Sequence, residues 1–134
     1  MTAQQESSSV RSGGEKALPR VFIAEDEFLL AYVLEEDLRA NGYAVVGPFT
    51  RLQDACEAAA RESFDLAVLD INMNGEMAYP IADTLIARGI PFIFLSGYGR
   101  LTLPERLKGV PCVPKPCDPT VLLLEIKRLA SARH

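Results

Sequence analysis

Apolar residues in this chain come in blocks of two alternating kinds. Arg20 to Ala24, Tyr43 to Val46, Leu66 to Leu69, Pro91 to Leu95 and Val110 to Val113 are short, nearly continuous apolar runs bounded by turn formers. Runs of this kind read as strands buried on both faces. Between them, apolar positions recur at helical spacing. Phe28, Leu29, Tyr32, Val33 and Leu38 mark the expected inward face of a first helix, with Glu35, Glu36 and Arg39 opposite and Asn41-Gly42 as its stop. Thr50-Arg51-Leu52-Gln53 fits a capping box ahead of an Ala-rich helix to Arg61. A third helix over residues 78 to 87 turns Ile81, Leu85 and Ile86 inward, with Gly89 just past its end. Residues 100 to 109 hold Pro104 and few apolar anchors, which predicts at most a short, weakly held helix. Asp118-Pro119 supplies an N-cap and a first-turn proline for a last helix through Leu122, Leu123, Ile126 and Leu129. Strands alternating with helices predict a doubly wound α/β fold: a five-stranded parallel sheet with helices on both faces and right-handed crossovers.

The 134 residues suffice for one domain with a sizeable core. Residues 1 to 18 are rich in Ser, Gln and Gly, cannot offset the entropy of ordering, and are expected to form a flexible tail ahead of a single domain at 19–134. A net charge of −4 and the lack of a Lys/Arg cluster argue against nucleic acid as a partner. Three cysteines without paired spacing make neither a disulfide framework nor a zinc site. With no apolar run long enough to span a membrane and no signal-peptide core, the expectation is a cytoplasmic protein without membrane contact. Neither a dinucleotide fingerprint nor a Walker motif follows the first strand, which disfavours nucleotide binding of the usual kinds.

The chemistry lies at the strand ends. In a parallel sheet all C-terminal ends share one edge, where ligands collect. The first strand delivers Glu25 and Asp26 there, the third Asp70, the fourth Ser96 and the fifth Lys115. Taken singly, each has a bland explanation: helix-start charges, a turn-forming aspartate or serine, a surface lysine. Taken together at successive strand ends, they gather three carboxylates, a hydroxyl and an ammonium at one rim. Crowded carboxylates suit a hard divalent cation such as Mg²⁺, and the lysine and hydroxyl opposite would suit a transferred phosphoryl group.

Glu25-Asp26-Glu27 after strand one, Asp70 after strand three, Ser96-Gly97 after strand four and Lys115-Pro116 after strand five resemble the receiver domain of two-component response regulators. The resemblance covers residues 20 to about 130 in order and spacing. It implies the flavodoxin-like strand order 2-1-3-4-5. It also implies that Asp70 accepts a phosphoryl group from a sensor histidine kinase or histidine phosphotransfer protein. Mg²⁺ would be held by Asp26, Asp70 and the carbonyl of Asn72, with Glu25 acting directly or through water. Ser96 and Lys115 would each meet a phosphoryl oxygen, Gly97 would leave room, and Asn72 and Tyr98 would border the path of attacking water. The Lys115-Pro116 bond is expected to be cis. Such a chain is a phosphoacceptor signalling domain rather than an enzyme, beyond supporting its own phosphorylation and dephosphorylation.

Three departures stand out. Glu25 replaces a frequent aspartate, and Cys112 stands where a switch aromatic is usual, three residues before the lysine. Pro91 to Gly99 resembles the Phe-Ala-Thr-Gly-Tyr/Gly subgroup of stand-alone receivers, with Leu95 and Ser96 for its Ala and Thr. The outward signal is therefore expected in residues 97 to 109 rather than in a ring flip. With no output domain after the last helix, the expected role is signalling through a downstream protein partner, or acting as a relay or phosphate sink. The competing readings are a phosphorylation-independent pseudo-receiver that only binds, and a Mg²⁺ phosphohydrolase, which the absence of a second acid at Asn72 disfavours.

Overall fold

A computed structural model describes residues 18–97 and 103–132. Five strands form one parallel sheet: β1 (Arg20–Ala24), β2 (Ala44–Phe49), β3 (Leu66–Asp70), β6 (Phe92–Ser96) and β7 (Cys112–Pro114), in the order β2-β1-β3-β6-β7. Between β3 and β6 lie two very short strands, β4 (Asn72–Met73) and β5 (Glu76–Met77), paired as a separate antiparallel hairpin. Helices α1 (Phe28–Ala40) and α4 (Pro119–Ala132) cover one face, and α2 (Leu52–Arg61) and α3 (Tyr79–Arg88) the other. Strands β1, β3 and β6 alternate their side chains between two cores. Phe22, Ala67, Leu69 and Phe94 pack toward α2 and α3, while Ile23, Val68, Ile93 and Leu95 pack toward α1 and α4. This is the doubly wound, flavodoxin-like arrangement expected from the sequence. Among the described residues, no helix is long and apolar enough to cross a membrane.

Several local expectations are corrected. On α1 the buried stripe is Ala31, Leu34 and Leu38, whereas Phe28, Leu29, Tyr32 and Val33 are exposed. The helix carries two apolar stripes, and the small side chain of Ala31 belongs to the one that faces the sheet. Ile86 is likewise exposed at the flank of α3, beside buried Ala82 and Leu85. No capping box forms at Thr50: the N-cap is Arg51, one residue later, which puts Gln53 out of register. The last strand is Cys112–Pro114 rather than Val110 to Val113, because the Val110 amide closes a turn onto the Leu107 carbonyl. Residues 103–110 are better held than expected. Leu107, in the 3₁₀ turn Glu105–Leu107, is fully buried, and Arg106 makes a two-point ion pair with Asp83 of α3 at 2.8 and 3.0 Å. The expected N-terminal tail, apart from Leu18, and Tyr98 with the rest of 98–102 lie outside the described residues.

Strand β2 also continues past its expected end at Val46, through Gly47-Pro48 to Phe49. At an edge strand the missing proline N–H breaks no ladder. Both Gly47-Pro48 and Lys115-Pro116 are cis. Phe22 pairs with Val46 but Ala24 with Phe49, so β2 carries one extra residue against β1. Gly47 absorbs it at φ +105°, with the Phe49 amide and the Ile23 carbonyl 2.9 and 3.0 Å from where a Cβ would sit. The Phe49 carbonyl then accepts a hydrogen bond from the Glu25 amide. Gly47→Ala is expected to cost about 1–3 kcal/mol in denaturant unfolding. An unchanged midpoint would show that this bulge is not constrained.

Candidate functional site

All five strand-end residues singled out in the sequence lie along the C-terminal edge of the sheet. Asp70 is the last residue of β3 and is 3% exposed. Buried apolar neighbours on both sides of the strand leave its carboxylate at the floor of an open cleft. The Asn72 amide donates to its Oδ1 at 3.1 Å, and Lys115 Nζ donates to its Oδ2 at 3.1 Å. Lys115 follows β7, whose pairing with β6 brings the Lys115 amide 2.8 Å from the carbonyl of Ser96. Ser96 itself is buried at the end of β6.

Glu25 is completely buried, unusual for a carboxylate. Its Oε2 accepts from the Glu27 amide at 3.0 Å and from Lys115 Nζ at 3.4 Å. Its Oε1 has no hydrogen-bond partner and meets Lys115 only as an ion pair, at 3.3 Å. Asp26 is half-buried and accepts from the Asn74 amide at 2.9 Å. Glu25, Asp26 and Asp70 can each place one oxygen within 4.8 Å of the others.

Four acids and one base share this space, counting Glu27, which lies 3.6 Å from Lys115 Nζ. Burial pushes Glu25 up to about 8, and the nearby Asp70 adds to the shift. Asp70 rises to about 6, chiefly through burial and then through its hydrogen bond with Asp26. Burial pushes Asp26 upward too, but hydrogen bonds from Asp70 and the Asn74 amide outweigh it and hold Asp26 below the usual carboxylate value. For Lys115 burial acts downward, and the Asp70 and Glu25 carboxylates more than reverse it. Burial thus favours the protonated forms of Glu25 and Asp70. A buried carboxylate oxygen without a donor, beside two further carboxylates, fits a hard divalent cation with oxygen ligands.

The β4–β5 hairpin was not anticipated from the sequence. The signal was present in Asn74-Gly75, at φ +56° and +88°, the left-handed pair that a two-residue hairpin turn requires. Residues 72 and 77 face each other as a non-hydrogen-bonded pair, flanked by the closing pair 73–76 and by the Ala78 amide bonded to the Ile71 carbonyl. The hairpin therefore leaves Asn72's own N–H and carbonyl free to turn outward, and the N–H is the one that meets Asp70. Leu29, Leu30 and Val33 of α1, with Pro116 and Cys117, complete the cleft walls around Asp26, Asp70 and Lys115; its volume is about 920 Å³. Cys112 is exposed on the edge strand, in register with Phe94.

Residues 21–127 match the family model described as the response regulator receiver domain. Among curated proteins, the chain is 34% identical over 96 residues to the transcriptional regulatory protein PdtaR of Mycobacterium tuberculosis, covering 70% of this chain and 47% of that protein. It is 38% identical over 93 residues to the transcriptional regulatory protein TctD of Salmonella typhimurium, covering 68% and 40%. The chain thus spans about half the length, or less, of the curated relatives it matches. Among solved structures it resembles SdrG from Sphingomonas melonis Fr1, with TM-score 0.73, 31% identity and coverage of 86% of this chain and 98% of that one. The receiver domain of the hybrid histidine kinase CckA superposes with TM-score 0.67 at 29% identity, covering 83% and 98%.

Proposed function

The chain belongs to the response regulator receiver domain family, and from that premise we propose that Asp70 is its phosphoacceptor, charged by a histidine kinase or a histidine phosphotransfer protein. The observation that carries the reading is Asp70 itself: a buried carboxylate at the cleft floor, its Oδ2 3.1 Å from the Lys115 ammonium, with two further acids in reach. Glu25, Asp26, Asp70 and the carbonyl of Asn72 would hold Mg²⁺. Bound there, the ion would neutralise charge on the oxygens of the incoming phosphoryl group.

The rest is done by the chain. An Asp70 oxygen attacks phosphorus in line as the bond to the donor breaks, and the donor leaves with that electron pair. The Asn72 amide on Oδ1 fixes the carboxylate plane, so one oxygen is oriented by the backbone while the other faces Lys115. Once Asp70 is an acyl phosphate its carboxyl no longer carries the charge that held Lys115, and the ammonium pairs with a phosphoryl oxygen instead. Ser96, at the neighbouring strand end, supplies a hydroxyl to another, and Gly97 on the cleft wall leaves space for the group. Output runs through a protein partner that reads the changed surface.

Acetyl phosphate with Mg²⁺ is expected to add one phosphoryl group, removable by hydroxylamine and mapped by peptide analysis to Asp70. Label on any other residue overturns the assignment. The exposed apolar residues Leu29 and Val33 border the same cleft, so a protein donor reaching Asp70 must cover them. Val33→Glu is expected to slow transfer from a cognate protein donor about 10-fold more than transfer from acetyl phosphate. Equal slowing of both would place the donor's approach elsewhere.

A further inference from the structure

The β4–β5 hairpin does more than connect β3 to α3. Its tip, Asn74-Gly75, lies on the cleft wall, and two polar contacts hold it there. The Gly75 amide donates to the Oδ1 of Asn72 at 2.8 Å, across the turn, and the Asn74 amide donates to Asp26 Oδ2 at 2.9 Å. The base of the hairpin is anchored separately, by fully buried Met73 and by the Ala78 amide bonded to the Ile71 carbonyl. The tip can therefore loosen without unfolding the base. The side chain of Asn72 is spent on this turn, so its carboxamide oxygen is engaged with Gly75 rather than presented to the cleft.

We propose that the Asn72 carboxamide is a positioning residue: it locks the Asn74-Gly75 turn so that the Asn74 amide holds Asp26 in the geometry that receives the divalent cation. The inference rests on the cation reading of the cleft given above. One residue then serves the site three ways. Its amide orients Asp70, its carbonyl faces outward from the hairpin, and its side chain sets Asp26 at second hand through a peptide N–H. Without the side-chain acceptor, the turn keeps only its intrinsic preference for positive φ. The Asn74 amide then samples positions off Asp26, and the carboxylate must be ordered by the cation itself, at a cost in affinity.

The test is residue-resolved amide exchange in the full chain without metal, followed by Mg²⁺ titration monitored by amide chemical shifts. Asn72→Ala is expected to accelerate exchange at Gly75 and Asn74 by about 10-fold or more while the Ala78 amide stays protected, and to weaken Mg²⁺ binding about 3- to 10-fold. Asn72→Asp, which keeps an acceptor oxygen at the same place, is expected to restore protection at both amides. Exchange at Gly75 and Asn74 within twofold of wild type in Asn72→Ala overturns the lock. Accelerated exchange with unchanged Mg²⁺ affinity overturns the positioning role and leaves a purely structural turn. If the wild-type chain shows no Mg²⁺-dependent shift at all, the cation reading of the site fails, and with it the purpose assigned to the lock, while the exchange data still decide whether the lock exists.

Discussion

Asp70→Asn is expected to abolish phosphoryl labelling from acetyl phosphate and from any protein donor, while folding is retained. The two side chains have nearly the same shape, and the carboxamide oxygen can still accept the Asn72 amide that Asp70 Oδ1 now accepts. What is lost is nucleophilicity: a neutral carboxamide has no anionic oxygen to attack phosphorus, and no neighbouring base can supply one. The substitution also removes one negative charge from a crowded site, so the melting temperature of the metal-free variant is expected to match or exceed that of wild type. The pair of results separates a chemical role from a structural one. Labelling that survives in Asp70→Asn, with the same stoichiometry, would move the phosphoacceptor to another carboxylate, with Asp26 and Glu25 both in reach.

The second large effect concerns pH. Glu25 and Asp70 both bind their protons more tightly in the folded chain than in the unfolded one, with folded values near 8 and 6 against ordinary values of 4.5 and 3.8. For an acid shifted upward, the unfolded state gives up its proton first, so stability falls as pH rises from the ordinary value to the folded one. For Glu25 that window runs from 4.5 to about 8, for Asp70 from 3.8 to about 6. In chelator, the melting temperature is therefore expected to drop by about 5–10 °C between mildly acidic and mildly alkaline buffer. Mg²⁺ should recover most of the loss at the alkaline end, because a ligand that binds only the folded chain stabilises it. Glu25→Gln should flatten the metal-free slope, since Glu25 carries the larger shift. A metal-free melting temperature that rises over the same range would show that the buried acids are ionised and already compensated.

The unequal roles of the acids follow from their surroundings. Asp26 is held low by the Asn74 amide and by its hydrogen bond with Asp70, whereas Glu25, with its longer side chain, is sealed under the cleft with one oxygen unsatisfied. The end of β2, bulged at Gly47, reaches the Glu25 amide through the Phe49 carbonyl and is one of the contacts that fix its backbone.

By itself the sequence determined the fold class, because continuous apolar runs alternating with helical spacing have few ways to bury both faces of a sheet. It also determined which residues share an edge, since in a parallel sheet the common strand direction sends Glu25, Asp26, Asp70, Ser96 and Lys115 to one side. The tertiary structure decided what local pattern leaves degenerate. Helix α1 offers two apolar stripes, and packing against β1 and β2 chose Ala31, Leu34 and Leu38 over Phe28, Leu29 and Val33. Strand β2 runs through Gly47-Pro48 because it lies at an edge, a fact of strand order rather than of local propensity. Distances decided the rest: which carboxylate keeps its proton, and which amide holds Asp26, depend on groups 45 to 90 residues apart in the chain meeting within hydrogen-bond reach.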